Sequence, residues 1–313
     1  MSLHRRAARL GSRLLLACAL CATATAAAAR NHILVVAHPD NPVHAETLDA
    51  LRGGLDPMGP GRKIDIHAPA AGAGDQLEAG DLVITLGTEA AQAVAKGGTR
   101  ATVLHVLLPQ RALDALPRVP GSGPRTALVL DQPAPRQLTL LRRALPGHER
   151  IALIASPLSA AQAAAVARAA PAFGINATTT IINDEDALYP ALRTSLDEST
   201  VLLSLPDGTV YNARTVANVL LTAFRLRAPV LGFSAAYVRA GAVLGLYSTP
   251  RQVGAEAAAL ARRLLAGEPP PAPAAHALFE VDINQTVAHA LGLVLPDPKE
   301  LTRDLLRQER GHP

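Results

Sequence analysis

Short runs of β-branched residues alternate with Ala- and Leu-rich stretches from Ile33 almost to the end of the 313-residue chain. Most of these runs are largely apolar, as expected for strands that are buried on both faces of a sheet. The stretches between them have the composition of helices that connect parallel strands. This alternation predicts an α/β fold built on doubly wound parallel sheets.

The strand candidates fall into two sets, and together they are too many for one ordinary sheet. A chain of this length also fits two lobes better than one, because single cores rarely grow beyond about 250–300 residues. We expect the first set at 33–37, 64–67, 82–86, 101–107 and 126–130, and the second at 151–155, 175–182, 201–205, 230–233, 243–246 and 277–283.

Two segments are candidates for the connections between the lobes. The stretch 133–146 has the spacing of an amphipathic helix, with Leu138, Leu141 and Leu145 on one side. The Pro-rich stretch 269–273 cannot be helical and is stiff. We predict an N-terminal lobe of residues 30–147 and 247–276, hinged to a C-terminal lobe of residues 148–246 and 277–313.

The first 29 residues have the features of a signal peptide. Four arginines precede an apolar run at 14–20, and an A-x-A cleavage site at 27–29 comes directly before Arg30. Both cysteines, Cys18 and Cys21, lie in this leader, so the mature chain is expected to contain no disulfide. We expect a soluble periplasmic protein, and a lipid anchor on Cys18 is the alternative.

The charge of the mature chain excludes two classes of function. Without the four arginines of the leader, the basic side chains only equal the 26 acidic ones, and the chain has no Trp. Nucleic-acid binding requires a basic surface and benefits from stacking aromatic residues. Attraction to an anionic membrane surface requires a polybasic patch. We therefore expect no nucleic-acid partner and no polybasic membrane binding.

The loop after the first strand is a candidate catalytic site. His38-Pro39-Asp40-Asn41 is similar to the His-Pro-Asp-Asp loop of zinc-dependent N-acetylglucosaminyl deacetylases, a family that also uses a distal His-x-x-His. Asn41 stands where a zinc-binding carboxylate is required, and the distal motif is missing. His44 and Glu46 could replace those ligands. The alternative is a polar loop in which Asn41 or Asp40 caps the next helix.

A second catalytic candidate is Ser234, which follows a strand as in a nucleophile elbow. Asp282 and His289 come later in the required order, but only seven positions separate them. Neither catalytic pattern is complete. We therefore expect a protein that is not an enzyme and that holds no metal or cofactor.

Two other strand ends have the chemistry of a ligand site. Gly87-Thr88 opens a helix, where free N–H groups and the helix dipole favour an anion. Thr88 could instead simply cap that helix. Asp207 supplies a carboxylate that could receive an ammonium group, although Pro-Asp-Gly is also a common turn.

An ordered series of short matches to one family runs through the second half of the chain. The matches are Gln137-Leu138, Leu140-Leu141, Leu145-Pro146, Arg150-Ile151-Ala152-Leu153, Leu205-Pro206-Asp207, Ala228-Pro229-Val230-Leu231-Gly232, Gly241-Ala242, Gly254, Leu264-Leu265-Ala266-Gly267, Asp282-Ile283-Asn284 and Ala290-Leu291-Gly292-Leu293, with Asp81-Leu82-Val83-Ile84 and Gly87-Thr88-Glu89-Ala90-Ala91 in the first half. This series resembles the tryptophan/tyrosine-type ABC-transporter substrate-binding proteins, which have the periplasmic-binding-protein type I fold.

The resemblance implies two α/β lobes with a small zwitterionic ligand, such as an amino acid, in the cleft between them. It also implies a monomer that serves an ABC permease; a ligand sensor without a permease is the alternative. Stacking on the ligand would come from the second half, where Tyr211, Tyr237 and Tyr247 are candidates beside Phe233. The expected ligand-binding residues are Gly87, Thr88, His38, Asp40, Ser156, Asp207, Phe233 and Ser234.

Overall fold

The computed structural model describes residues 32–55, 63–70, 77 and 81–310. Two separate six-stranded sheets with flanking helices organise these residues, so the predicted two-lobed α/β fold is confirmed. Among the described helices, none is both long enough and apolar enough to cross a membrane. The expected signal peptide, with Cys18 and Cys21, lies outside the described residues.

Twelve strands and eleven α-helices occur in the described part of the chain. The strands are β1 (His32–Val36), β2 (Lys63–His67), β3 (Leu82–Leu86), β4 (Thr102–Leu108), β5 (Arg125–Val129), β6 (Arg150–Ala155), β7 (Asn176–Ile181), β8 (Thr200–Leu203), β9 (Val230–Gly232), β10 (Leu244–Tyr247), β11 (Ala274–Ala275) and β12 (Glu280–Ile283). The helices are α1 (Pro42–Leu55), α2 (Gly87–Gly97), α3 (Gln110–Asp114), α4 (Ala134–Ala144), α5 (Ala160–Ala169), α6 (Leu188–Ser195), α7 (Val216–Arg225), α8 (Ala235–Ala240), α9 (Pro250–Leu265), α10 (Gln285–Ala290) and α11 (Pro298–Arg310).

The N-terminal sheet has the strand order β11-β5-β4-β3-β1-β2, and all of its pairs are parallel. Helices α1 and α9 cover one face, and α2 packs on the other face, where Ala90 and Val94 contact the strands. The two helices on the first face approach closely because each has a glycine at the contact. A Cβ on Gly54 would lie 2.5 Å from Cβ of Ala258, and one on Gly254 would lie 2.4 Å from the carbonyl oxygen of Thr47.

The C-terminal sheet has the strand order β12-β10-β9-β8-β6-β7. Its pairs are parallel except for β10 and β12, which are antiparallel. Side chains of α4, α5 and α11 form the core on one face, and those of α6, α7 and α8 form the core on the other face. Both faces are therefore buried, which accounts for the uniformly apolar inner strands.

The chain passes between the two sheets three times in the described residues: between β5 and β6, between β10 and α9, and between β11 and β12. The Pro-rich stretch 269–273 is not one of these crossings, because it leads from α9 to β11 within the same lobe. The sequence does not predict β11, which has only two residues. Helix α4, expected as a crossover, packs into the C-terminal core through Leu138 and Leu141. The exact lobe boundaries stay a prediction.

A buried arginine, Arg136, links chain segments at the three crossings by hydrogen bonds. The guanidinium of Arg136 forms two hydrogen bonds with the Glu309 carboxylate, at 2.6 and 2.9 Å. It also donates to Oε1 of Gln132 at 2.7 Å and to the carbonyl oxygen of His276 at 2.9 Å. Nε2 of Gln132 donates to the Ser248 hydroxyl at 3.4 Å. The segments before α4, before α9 and before β12 are thus linked at one place.

Candidate functional site

The carboxyl ends of parallel strands lie at one edge of each sheet, and ligands of such folds bind at that edge. In the N-terminal lobe, this edge carries the loops that follow β1, β3, β4 and β5. In the C-terminal lobe, it carries the loops that follow β6, β8 and β9. A hydrogen bond of 3.3 Å joins the two edges, from Nε of Arg111 after β4 to the carbonyl oxygen of Pro206 after β8. The predicted ligand-binding residues all belong to these loops or to the helices that follow them.

The first turn of α2 presents uncapped amide groups at the N-terminal edge. Leu86 occupies the N-cap position, and its side chain forms no capping hydrogen bond with the first turn. Thr88 lies inside the first turn, so the alternative that it caps the helix is wrong. Gly87 has φ +85, a conformation that glycine adopts without strain. Unpaired amides and the positive end of the helix dipole favour an anion at this position.

Two histidines lie beside this helix start. The N–H of His38 donates to Nδ1 of His44 at 3.1 Å, so neutral His44 carries its proton on Nε2. A Cβ on Gly87 would lie 3.3 Å from this Nε2, which places the ring edge next to the first turn of α2. Burial, and secondly the charge of His38, lower the pKa of His44. Nε2 of His38 is 2.9 Å from Oε2 of Glu89. Sequence reasoning considered His44 only as a zinc ligand.

The loop after β1 has the geometry of a helix cap. Oδ1 of Asn41 accepts hydrogen bonds from the N–H groups of Val43, at 2.9 Å, and His44, at 3.4 Å. Asp40 is exposed in the turn before it. Among the described residues, no three His, Cys, Asp or Glu side chains are grouped so that they could hold a metal ion. The geometry therefore supports the polar-loop alternative over the zinc hypothesis.

Asp207 is buried, with only 1% of its surface exposed, and it organises the C-terminal edge. Its Oδ2 accepts from the N–H of Ser156 at 2.8 Å and from the hydroxyl of Ser159 at 2.5 Å, and its Oδ1 accepts from the N–H of Thr209 at 2.9 Å. Burial alone would raise the pKa of this carboxyl, but these hydrogen bonds outweigh burial and lower it. The carboxylate thus joins the loops after β6 and β8. Its contact with a ligand stays a prediction.

Three aromatic rings form a cluster after β8 and β9. The Phe233 and Tyr237 rings are 5.1 Å apart, and Tyr211 stands edge-on to both, at 6.3 and 6.1 Å. Tyr211 and Tyr237 are buried, and the Tyr211 hydroxyl donates to the carbonyl oxygen of Ile154. Phe233 is half-buried, so it is the ring of the three with an open surface. Tyr247, at the end of β10, is not part of this cluster; its hydroxyl is 3.2 Å from Oδ2 of Asp282.

Ser234 has a structural partner in this loop. Its hydroxyl accepts a hydrogen bond from the N–H of Tyr237 and caps α8. Asp282 accepts from the Tyr247 hydroxyl, and His289 is exposed on α10. In the described part of the chain, neither contacts Ser234. The geometry therefore gives no support to a hydrolytic triad.

The structure adds Arg111 and Asp131, which sequence reasoning did not place in the site. Oδ2 of Asp131, after β5, accepts from the N–H of Gln110 at 2.6 Å and so holds the start of α3. Burial raises the pKa of Asp131, and the Gln110 hydrogen bond partly offsets this effect. Neither residue has a motif around it. Arg111 and Asp131 are included in the candidate site because they lie where the two lobes meet.

The fold is shared with solved structures of low sequence identity. A conserved domain protein from Vibrio cholerae is 20% identical, with 87% of this chain and 98% of that chain covered and a TM-score of 0.61. An ABC domain from Streptococcus pneumonia in complex with L-Trp is 19% identical, with 86% and 96% covered and a TM-score of 0.61. A substrate-binding protein with adhesive properties from Clostridium difficile, in its ligand-free, open form, is 18% identical, with 85% and 96% covered and a TM-score of 0.66.

No protein with a curated description matches the sequence. The family model for ABC transporter substrate binding proteins matches residues 76–299, which is well over half of the chain. The matched region contains the start of α2, the Asp207 loop and the Phe233 loop. It also contains all three crossings between the lobes. The chain therefore belongs to the family of ABC transporter substrate-binding proteins, and its role is to bind a solute for transport.

Proposed function

We propose that the protein binds a small zwitterionic solute, an amino acid, in the cleft between the two lobes. The observation that carries this proposal is the uncapped start of α2, where Gly87 and Thr88 present free N–H groups beside Nε2 of His44. An amino acid carries its negative charge on a carboxylate. Hydrogen bonds from backbone N–H groups to a carboxylate are stronger than hydrogen bonds between neutral groups. That the Streptococcus structure contains L-Trp supports an amino acid as the ligand class.

The other parts of the ligand would meet residues of both lobes. The open face of Phe233 is the candidate for an apolar or aromatic side chain, from one side of the cleft. Asp207 and Asp131 are the candidates for the ammonium group. Asp131 is half-buried, and its raised pKa reflects a carboxylate that a cationic ligand group would stabilise. Ser156, Ser234, His38 and Asp40 complete the proposed set.

The proposal also includes the location and the partner of the protein. Residues 1–29 would be removed as a signal peptide, and the mature monomer would act in the periplasm with an ABC permease of the inner membrane. It would catalyse no reaction. Mass spectrometry of protein from the periplasm checks this, with Arg30 as the expected first residue. Acylation at Cys18, or turnover of acetylated sugars or esters that is lost in Asp40→Ala or Ser234→Ala, would contradict it.

The binding test is a thermal-shift screen of the common amino acids, followed by calorimetry. A ligand at 100 times its dissociation constant should stabilise the protein by about 2.7 kcal/mol. The decarboxylated amine of the best ligand should give no shift, because it lacks the anion.

A matched pair of variants tests the role of the helix start. Gly87→Ala should abolish binding, because Cβ would enter the space between Gly87 and Nε2 of His44. Gly121→Ala is the control: its φ of +83 matches the +85 of Gly87, but its Cβ would meet nothing within 4 Å. Equal binding by both variants would remove the start of α2 from the site.

A further inference from the structure

The N-terminal lobe contains a second recess, away from the cleft. The connection from β4 to β5 forms only the five-residue helix α3 and then continues without regular structure to Arg125. One face of β4 and β5 is therefore incompletely covered, and a cavity of about 520 Å³ remains there. The C-terminal half of α2 and the amino ends of β4 and β5 line it. Gly87 and Thr88, at the opposite end of α2, do not.

The cavity lining has two arginines and one carboxylate among its charged groups. Arg118, Arg125 and His105 line it, and in the described residues neither arginine forms an ion pair. NH1 of Arg125 donates to the carbonyl oxygen of Pro117 at 3.1 Å. Burial, and secondly the charge of Arg118, lower the pKa of Arg125. The positive charge of Arg118 thus acts on Arg125, and in the described residues neither guanidinium is ion-paired with a carboxylate.

The other titratable groups at the cavity do not cancel this charge. His105 is buried, and burial followed by the charge of Arg125 lowers its pKa to about 4, so it is neutral near pH 7. Its Nδ1 is 2.8 Å from the Thr85 hydroxyl. Asp114 is the acid at the rim; it is exposed and accepts a hydrogen bond from Nε2 of Gln110 at 2.8 Å. Two arginines against one exposed carboxylate leave a positive site.

The rest of the lining is apolar. Val94, Val103, Leu113 and Val119 contribute to the wall. The volume lies within the range of pockets for small organic molecules, which combine an apolar lining with a few polar groups that fix orientation. It exceeds what an inorganic anion would fill. The lining therefore suits a molecule with an apolar body and one negative group.

We propose that this cavity binds a small organic monocarboxylate, with its carboxylate between Arg118 and Arg125 and its apolar part against Val103 and Leu113. The site is separate from the amino-acid cleft and does not depend on the ligand proposed there. Guanidinium groups pair well with carboxylates because they offer several N–H donors in one plane.

The test is an NMR titration of the labelled protein with benzoate, which has one carboxylate and an apolar ring. We expect saturable shifts of the Arg125 side-chain N–H signals and of the His105 ring. Benzamide, with the same ring and no charge, should bind at least about tenfold more weakly. Benzoate that gives no saturable shifts at these groups, or benzamide that binds equally well, would overturn the proposal.

Variants assign the binding to the two arginines. Arg118→Gln and Arg125→Gln should each weaken benzoate binding by about tenfold or more. Arg118 is exposed, so its variant keeps the test valid if Arg125→Gln does not fold. Arg100→Gln, an exposed arginine of the same lobe that does not line the cavity, is the control. Binding should persist in Gly87→Ala; loss there, or unchanged affinity in both cavity variants, would refute the site.

Discussion

Nε of Arg111 donates a hydrogen bond of 3.3 Å to the carbonyl oxygen of Pro206, and this bond joins the two lobes at the cleft. Each end of the bond is held in place. Asp131 fixes the start of α3, the helix that carries Arg111, by accepting from the N–H of Gln110. Pro206 directly precedes Asp207, whose carboxylate joins two loops of the other lobe. The contact therefore links a fixed point in each lobe.

We expect Arg111→Ala to shift the ligand-free protein toward an open form. Loss of a half-exposed hydrogen bond from a charged donor should cost about 1 kcal/mol, which changes the ratio of closed to open molecules about fivefold. Small-angle scattering should show a larger radius of gyration. Arg100→Ala, an exposed arginine of the same lobe, is the control. Identical scattering curves for Arg111→Ala and the unmodified protein would show that the Arg111–Pro206 hydrogen bond does not hold the lobes together.

Asp207→Asn is expected to destabilise the C-terminal lobe. One carboxylate oxygen becomes an NH2 group, which cannot accept from the Ser156 N–H or the Ser159 hydroxyl. A buried donor left without its acceptor costs about 1–3 kcal/mol, and urea unfolding would measure the loss.

The matched change Asp186→Asn, at an exposed acid, should leave stability unchanged. Calorimetry with the identified amino acid then separates the two roles of Asp207. If the folded variant binds with unchanged affinity, Asp207 holds the loops after β6 and β8 in place but does not contact the ligand. Unfolding that is equal in both variants would mean that these hydrogen bonds contribute little.

His105 should make the N-terminal lobe sensitive to acid. The unfolded imidazole takes up a proton below its ordinary pKa of 6.5, whereas the folded one stays neutral down to about 4. Protons therefore favour the unfolded chain in this window, and stability that is present above pH 6.5 is lost as the pH falls toward 4. The loss from this group is about 3 kcal/mol.

Unfolding by urea at about pH 7 and about pH 4.5 checks this expectation. His105→Gln should show a smaller loss on acidification than the unmodified protein. An exposed histidine, changed in His289→Gln, should not alter the loss. If all three proteins lose the same stability, His105 is not the group responsible.

The packing of α1 on α9 predicts opposite effects for two glycines. Gly254→Ala would place Cβ 2.4 Å from the carbonyl oxygen of Thr47, so backbone must move, at a cost of about 1–3 kcal/mol. Gly53→Ala, where Cβ would meet nothing within 4 Å, should stabilise α1 by about 0.5–1 kcal/mol. Thermal unfolding distinguishes the two. A Gly254→Ala protein as stable as Gly53→Ala would show that the helices can separate without cost.

Apolar β-branched runs predicted the inner strands well because these strands are buried on both faces and carry little but apolar residues. This criterion missed β11, because two alanines directly after a Pro-rich stretch form no such run. The sequence also predicted the start of α2, because Gly87-Thr88 follows a strand; the structure adds that Gly87 has a positive φ. The sequence did not predict Arg111 or Asp131. Those residues belong to the site only because strands that are distant in sequence end at the same edge of the sheet. A local sequence pattern cannot predict such a juxtaposition.

The three crossings of the chain also set the order in which the protein can fold. Gly54 on α1 packs on Ala258 of α9, and these residues are about 200 positions apart, which makes the contact a slow one to form. The N-terminal lobe lacks one of its covering helices until α9 has left the ribosome. The N-terminal lobe can therefore complete its core only late in synthesis, after the C-terminal strands β6 to β10 have already been made.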